Sequence, residues 1–266
     1  MYTVHSLNLA EYEVGHEPPE ILNLWHTQQA LITGADRILA LTEDEKALLL
    51  QSCPSARERV RVVGNGIDDC AAARNVASGR TQKQPPLVLY TGRFVDRKGI
   101  HELFQAIPLV LQAAAETQFV LVGGYGSGSD IARAWLPANL YPYRSQITFT
   151  GWLDIREVGK WYERADILVV PSWYEPFGMV VLEGMLYGLP VAASRIGGPL
   201  EILEHGKTGL LFPPKNVEAL AGAILELVIN HELRSRLGRT AAKVVREHWL
   251  WPRIVEKIEG IYQRVR

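Results

Sequence analysis

Ile167-Leu-Val-Val-Pro-Ser-Trp-Tyr-Glu175-Pro-Phe-Gly-Met-Val-Val-Leu-Glu183 decides how this chain folds. Ile167 to Pro171 is a short apolar run of buried-strand type, Pro176 and Gly178 punctuate a turn, and an apolar helical stretch follows from about Met179 to Tyr187. A helix opening at such a turn aims its free N–H groups and the positive end of its dipole at whatever lies beyond, commonly an anion. Glu175 and Glu183 frame the turn. Eight helical residues span about 12 Å, roughly a sugar plus a diphosphate. One carboxylate can then accept hydrogen bonds from hydroxyls at one end of a nucleotide-sugar, and the second from hydroxyls at the other. The alternative is an ordinary helix with one acid near its N-terminus and another on a solvated face.

Strand and helix signals alternate on both sides of this unit. Leu87–Tyr90, Phe119–Val122, Ile147–Phe149, Val191–Ala193 and Gly209–Phe212 read as further strands, and Ile100–Ala115, Val158–Arg164 and Leu200–Glu204 as helices. This spacing predicts an α/β fold with an open parallel sheet covered on both faces. Ligands of such sheets bind at the carboxyl ends of the strands. Upstream, residues 21–51 are mainly helical, interrupted by Gly34-Ala-Asp36 and a strand Arg37–Leu41. Thr42 with Glu45 three residues later is a capping-box signature for a helix Glu43–Gln51, and Arg59–Val63 is another strand. Asp69 to Pro86 is polar and rich in Ala, Ser, Arg and Gln, a linker composition that marks the domain boundary.

Apolar residues make up 47% of the chain and charged residues 21%, as in an ordinary globular protein. A net charge of −1 argues against nucleic acid as a partner, since such domains carry a basic excess. The stretch from about Arg234 to Arg266 is basic; it reads either as a peripheral contact with an anionic membrane surface or as the solvated face of helices. Cys53 and Cys70 form no CxxC pair, which suits reduced thiols in the cytoplasm. The opening residues lack the pattern of a signal peptide, and no apolar run approaches the roughly 20 residues that span a bilayer.

Arg93 and Lys98 follow the first strand of the large unit, bracketed by Gly92 and Gly99, which let backbone approach a ligand closely. Two cations converging there neutralise a diphosphate, Arg as a bidentate fork and Lys as a point charge; otherwise they are solvated loop residues. Gly123-Gly124-Tyr125-Gly126 is a second glycine-rich loop able to line a nucleotide. The histidines show no metal-ligand spacing, and no Asp-x-Asp pair marks a diphosphate-bound metal.

Taken together, Gly92-Arg93 with Lys98-Gly99, Ala165-Asp166 before Val169-Val170-Pro171-Ser172, Glu175-Pro-Phe-Gly178 and Gly197-Gly198 resemble the retaining nucleotide-sugar glycosyltransferases of family 4, of GT-B fold. The resemblance runs from about Leu87 to the C-terminus, with a looser match upstream. It implies that Arg93 and Lys98 hold the donor diphosphate and stabilise it as a leaving group. Glu183 would bind the ribose hydroxyls, and Glu175 those of the transferred sugar. Backbone around Phe177, Gly178 and Met179 would meet sugar and phosphate, with Gly92 and Gly124 beside the nucleotide. Gly197 and Gly198 shape a turn, and Asp166 is structural. Thr3-Val-His-Ser-Leu7 resembles the segment in which a histidine faces the transferred sugar across the cleft, which makes His5 a catalytic candidate. No metal and no cofactor is implied; the donor is itself a nucleoside-diphosphate sugar. The acceptor is a carbohydrate, a lipid-linked group or a small molecule.

The match is incomplete in its first part. Residues 1–83 correspond to a partial N-terminal, acceptor-side domain with its linker, 84–248 to a complete C-terminal nucleotide-sugar-binding Rossmann-like domain, and 249–266 to a helix crossing back onto the first domain. An incomplete first domain leaves strand edges and apolar surface to be covered, by self-association or a partner chain. The expected function is retaining transfer of a hexose. The alternatives are a nucleotide-sugar-binding subunit or fragment inactive without the missing half, and an epimerase or phosphorylase on the same fold, for which no pyridoxal-lysine motif is present.

Overall fold

The structure, a computed structural model, describes residues 2–3, 21–69, 85–124 and 137–264. The boundary expected at 83/84, the loop 125–128, Cys70 and His5 lie outside these residues. Two parallel sheets organise what is described. Strands β1 (Tyr2–Thr3), β2 (Ile38–Ala40) and β3 (Val60–Val62) form a three-stranded sheet in that order. The larger sheet contains β4 (Leu87–Thr91), β5 (Gln118–Val122), β6 (Ile147–Gly151), β7 (Ile167–Val170), β8 (Val191–Ser194) and β9 (Gly209–Phe212). Its order is β6-β5-β4-β7-β8-β9, every pairing parallel, so the chain reverses direction across the sheet at β4 and β7. A crevice opens at such a switch point.

Helices α1 (Ile21–Gly34) and α2 (Glu43–Ser52) belong with the small sheet. With the large one go α3 (Ile100–Ala113), α4 (Ile155–Arg164), α5 (Met179–Leu186), α6 (Gly197–Ile202), α7 (Val217–Ile229) and α8 (His231–His248), followed by α9 (Trp251–Tyr262). Alternate residues of β4 enter different cores. Val88 and Tyr90 pack with Phe104, Ile107 and Ile224, whereas Leu87 and Leu89 pack with Leu182, Met185 and Val245. β7, β8 and β9 are buried throughout, which is why they read as unbroken apolar runs. Pro108 sits inside α3 without an N–H for the Phe104 carbonyl, and Asn139 Nδ2 donates to that carbonyl instead, at 3.2 Å. Among the described residues no helix is long and apolar enough to cross a membrane.

Three elements differ from the sequence pattern. α4 begins at Ile155 rather than Val158, because the Asp154 carboxylate accepts from the N–H groups of Arg156 and Glu157. Gly197 and Gly198 open α6 instead of forming a turn. The last helix starts at Trp251, two residues later than expected. Leu250 is extended, and the break is held by the Ile67 N–H, which donates to the Trp249 carbonyl at 2.9 Å, and by an isolated parallel bridge between Ile67 and Leu250. At this crossing a Cβ on Gly64 would lie 2.6 Å from the Trp249 ring, and one on Gly66 2.4 Å from the Trp251 ring.

The α2 cap forms one residue out of the expected register. Thr42 Oγ1 accepts from Glu45 N at 3.0 Å, but Glu45 Oε2 accepts from Leu41 N, at 2.7 Å, rather than from Thr42 N. Glu45 is 2% exposed and its Oε1 has no partner among the described residues. Burial pushes its pKa up to about 7 from 4.5, against the lowering effect of the Leu41 bond. The folded state therefore holds this proton more tightly than the unfolded chain. The associated stability, of the order of 3 kcal/mol, is complete below about pH 4.5 and lost as pH rises through 7. Melting followed from pH 5 to 8 should fall with pH and flatten in Glu45→Gln; an equal slope in both proteins would refute the assignment.

Candidate functional site

A cleft of about 530 Å³ lies where β4 and β7 end. Leu41 and Asn65 reach it from the small-sheet side, and Lys98, Glu175, Gly178 and Glu183 from the other. The loop carrying Lys98 is pressed onto the end of β7: Gly99 is left-handed, with φ 68°, and a Cβ there would lie 1.9 Å from the Pro171 carbonyl oxygen. The Arg97 carbonyl accepts from Trp173 N at 2.7 Å and from Tyr174 N at 3.4 Å, binding the two loops together. Lys98 Nζ consequently donates to Glu175 Oε2 at 2.5 Å, and Ser172 Oγ donates to the same oxygen at 3.3 Å. Glu175 is buried, and its Oε1 carries no hydrogen bond from a described residue.

The turn from Glu175 to Gly178 ends in a left-handed residue, Gly178 with φ 97°, which opens α5. Only the second half of the Glu175–Glu183 interval is therefore helical, shorter along the helix axis than eight helical residues would be. α6 holds the turn from behind, Gly198 N donating to the Glu175 carbonyl at 3.0 Å. Thr42 Oγ1 donates to the Pro176 carbonyl at 3.2 Å, and Asn65 Nδ2 meets Met179 Sδ at 3.5 Å. The Glu201 carboxylate of α6 accepts from Glu43 N and Asp44 N at 3.0 and 3.1 Å, capping the positive end of α2 across the two units.

Glu183 stands on α5 above a buried tyrosine. Tyr162 O–H donates to Glu183 Oε2 at 2.6 Å and lies 3.0 Å from Thr91 Oγ1, while its ring stacks on Tyr187 at 5.2 Å and 14°. Burial, then the Glu183 charge and the proton given to it, hold the Tyr162 hydroxyl well above its ordinary pKa.

Of the residues expected at the site, Gly92, Lys98, Glu175, Phe177, Gly178, Met179 and Glu183 line this one cleft. Arg93 is exposed and outside its wall; its carbonyl accepts from Tyr90 O–H at 2.9 Å. Gly124, at φ 143°, follows β5 and does not line the cleft either. His5, Tyr125 and Gly126 lie outside the described residues. Asp166 is structural: its Oδ2 accepts from Leu87 N at 2.8 Å. Sequence reasoning missed Thr91, Tyr162 and Ser172, because an aromatic in an amphipathic helix and hydroxyls at strand ends look like ordinary packing. Among the described residues no group of three or more His, Cys, Asp or Glu side chains could hold a metal ion.

The family of glycosyl transferases group 1 matches residues 73–244, and the chain belongs to it. A glycogen synthase of Mycobacterium tuberculosis is 32% identical over 205 residues, covering 76% of this chain and 48% of the relative. The D-inositol 3-phosphate glycosyltransferase of Kribbella flavida is 28% identical over 256 residues, covering 91% and 59%. The solved sucrose-phosphate synthase of Thermosynechococcus elongatus superposes with a TM-score of 0.79 at 30% identity, over 99% of this chain and 67% of that one. Anabaena HepE, solved with UDP and glucose, gives 0.80 at 22% identity over 98% and 70%. The fold is that of the GT-B glycosyltransferases. The chain spans about half to three fifths of the length of these curated relatives.

Proposed function

We propose that this chain carries the donor side of a retaining glycosyltransferase, which moves a hexose from a nucleoside-diphosphate sugar to a carbohydrate, lipid-linked or small-molecule acceptor. The observation that supports it best is the convergence of Lys98, Glu175, Glu183 and the N-terminus of α5 on one cleft. Glu183 accepts the ribose hydroxyls. Glu175 Oε1 accepts hydroxyls of the sugar, while Lys98 and Ser172 hold its Oε2 and leave it a poor nucleophile. The C1–O bond to the diphosphate breaks as charge builds on the leaving oxygen. Lys98 and the free N–H groups opening α5 stabilise that charge, and Arg93, exposed beside the cleft, reaches the diphosphate from the rim. The acceptor oxygen bonds to C1 on the same face and its proton passes to the leaving phosphate oxygen, so configuration is retained. The cations facing the diphosphate are the chain's own, which makes the step metal-independent. His5 contacts a sugar hydroxyl, the protein works in the cytoplasm, and it associates with itself or with a partner chain.

Thermal melting with UDP-, GDP- and ADP-sugars tests the reading. A ligand at about 100 times its Kd stabilises by about 2.7 kcal/mol when it binds only the folded state. One nucleotide class should raise the melting temperature, and Glu183→Ala should abolish the rise. No rise with any of the sugars would overturn the donor site.

A further inference from the structure

A hydrogen-bond chain under Glu183 has a fixed direction, and its meaning rests on the donor-site reading above. A tyrosine has one hydroxyl proton. Tyr162 gives it to Glu183 Oε2 at 2.6 Å, so the 3.0 Å contact with Thr91 runs from Thr91 O–H to the tyrosine oxygen. Thr91 has then used its own proton as well. Thr91 and Glu183 both line the cleft, whereas Tyr162, 2% exposed and stacked on Tyr187, lies behind them. The cleft end of the chain therefore presents oxygen lone pairs and no proton.

We propose that Thr91, Tyr162 and Glu183 form a one-way relay that selects a ribonucleoside over a 2′-deoxyribonucleoside, with Tyr162 as a positioning residue acting through Glu183. A vicinal diol supplies two protons to this acceptor-only wall. A deoxyribose supplies one, leaving a desolvated carboxylate or threonine lone pair unmet. Tyr162 stops the carboxylate from rotating, so that its free lone pairs stay where the diol arrives.

Titration calorimetry with UDP, GDP and ADP and their 2′-deoxy counterparts tests this. The nucleotide that binds should bind about tenfold more tightly than its deoxy form, the worth of one hydrogen bond to a charged group. Tyr162→Phe keeps the ring stack and should bring the ratio towards unity, chiefly by weakening the ribose form. Thr91→Val should also reduce the ratio and Thr91→Ser restore it, a rescue that a purely structural role would not produce. Melting without ligand verifies folding, and the threonine pair keeps the test independent of the tyrosine variant. Equal binding of both sugars by the native protein, or an unchanged ratio in Tyr162→Phe and Thr91→Val, overturns the relay and leaves the donor site standing. A native protein that binds none of the six nucleotides overturns the donor site and the relay with it.

Discussion

Lys98→Ala is expected to weaken nucleoside-diphosphate binding about 30-fold and to cost about 2 kcal/mol of stability, two losses with separate causes. The first is a charge-assisted contact to phosphate, worth about 1.5–3 kcal/mol. The second arises inside the protein. Lys98 and Glu175 are paired at 2.5 Å with side chains 21% and 10% exposed. Removing the cation leaves Glu175 with Ser172 Oγ as its remaining hydrogen bond from a described residue. Breaking a fully buried pair costs about 3–5 kcal/mol, and the partial exposure of the lysine reduces that. Chemical denaturation separates the two: Lys98→Ala/Glu175→Gln should recover most of the stability and none of the affinity. If the double variant stayed as unstable as the single one, the ion pair would not be the cause. Unchanged affinity would remove Lys98 from the diphosphate site.

Gly198→Ala, behind the cleft, should be a severely damaging glycine replacement, at about 3 kcal/mol or more, with loss of nucleotide binding. A Cβ there would stand 1.6 Å from the Phe177 carbonyl oxygen and 2.1 Å from its carbon. Both are backbone atoms that cannot rotate aside, so either α6 or the 175–178 turn must shift, and overpacking of this kind costs about 1–3 kcal/mol even where side chains can give. Gly184 offers a milder case, since its nearest atom is a Leu168 methyl at 2.4 Å. Gly222, in the middle of α7 with nothing within 4 Å, is the control: alanine there should stabilise by about 0.5–1 kcal/mol. A Gly198→Ala protein with native stability and native nucleotide affinity would refute the packing described for α6.

The large sheet was legible because β7, β8 and β9 are buried on both faces, so each reads as an unbroken apolar run bounded by turn residues. Lys98 and Glu175 follow β4 and β7 and Glu183 stands on α5; spacing alone left them ambiguous, and the family resemblance of the flanking motifs singled them out. What escaped depends on partners distant in sequence. Nothing local marks Tyr162 as the group beneath Glu183, since the contact needs α4 and α5 laid side by side. The Glu45 carboxylate goes to Leu41 N rather than Thr42 N, a choice made within a single turn and below the resolution of a motif. Arg93 and Lys98 look equivalent in sequence, yet only Lys98 is drawn into the cleft wall, by the approach of Gly99 to Pro171.

The crossing of Gly64–Ile67 with Trp249–Trp251 bears on how the two sheets can move. The segment Gly64–Ile67, which follows the small sheet, is bridged to Leu250, which lies beyond the large one. Two segments far apart in sequence are thus pinned to each other at one place, as a door is at its hinge. Sliding of one sheet over the other would tear that bridge and drive the indole rings of Trp249 and Trp251 into backbone that has no side chain to yield. Glu201 with the start of α2 and Thr42 with Pro176 join the same two units a second time, beside the cleft. The Thr42 contact falls on the turn that carries Glu175, so a displacement of α2 would be felt at that carboxylate.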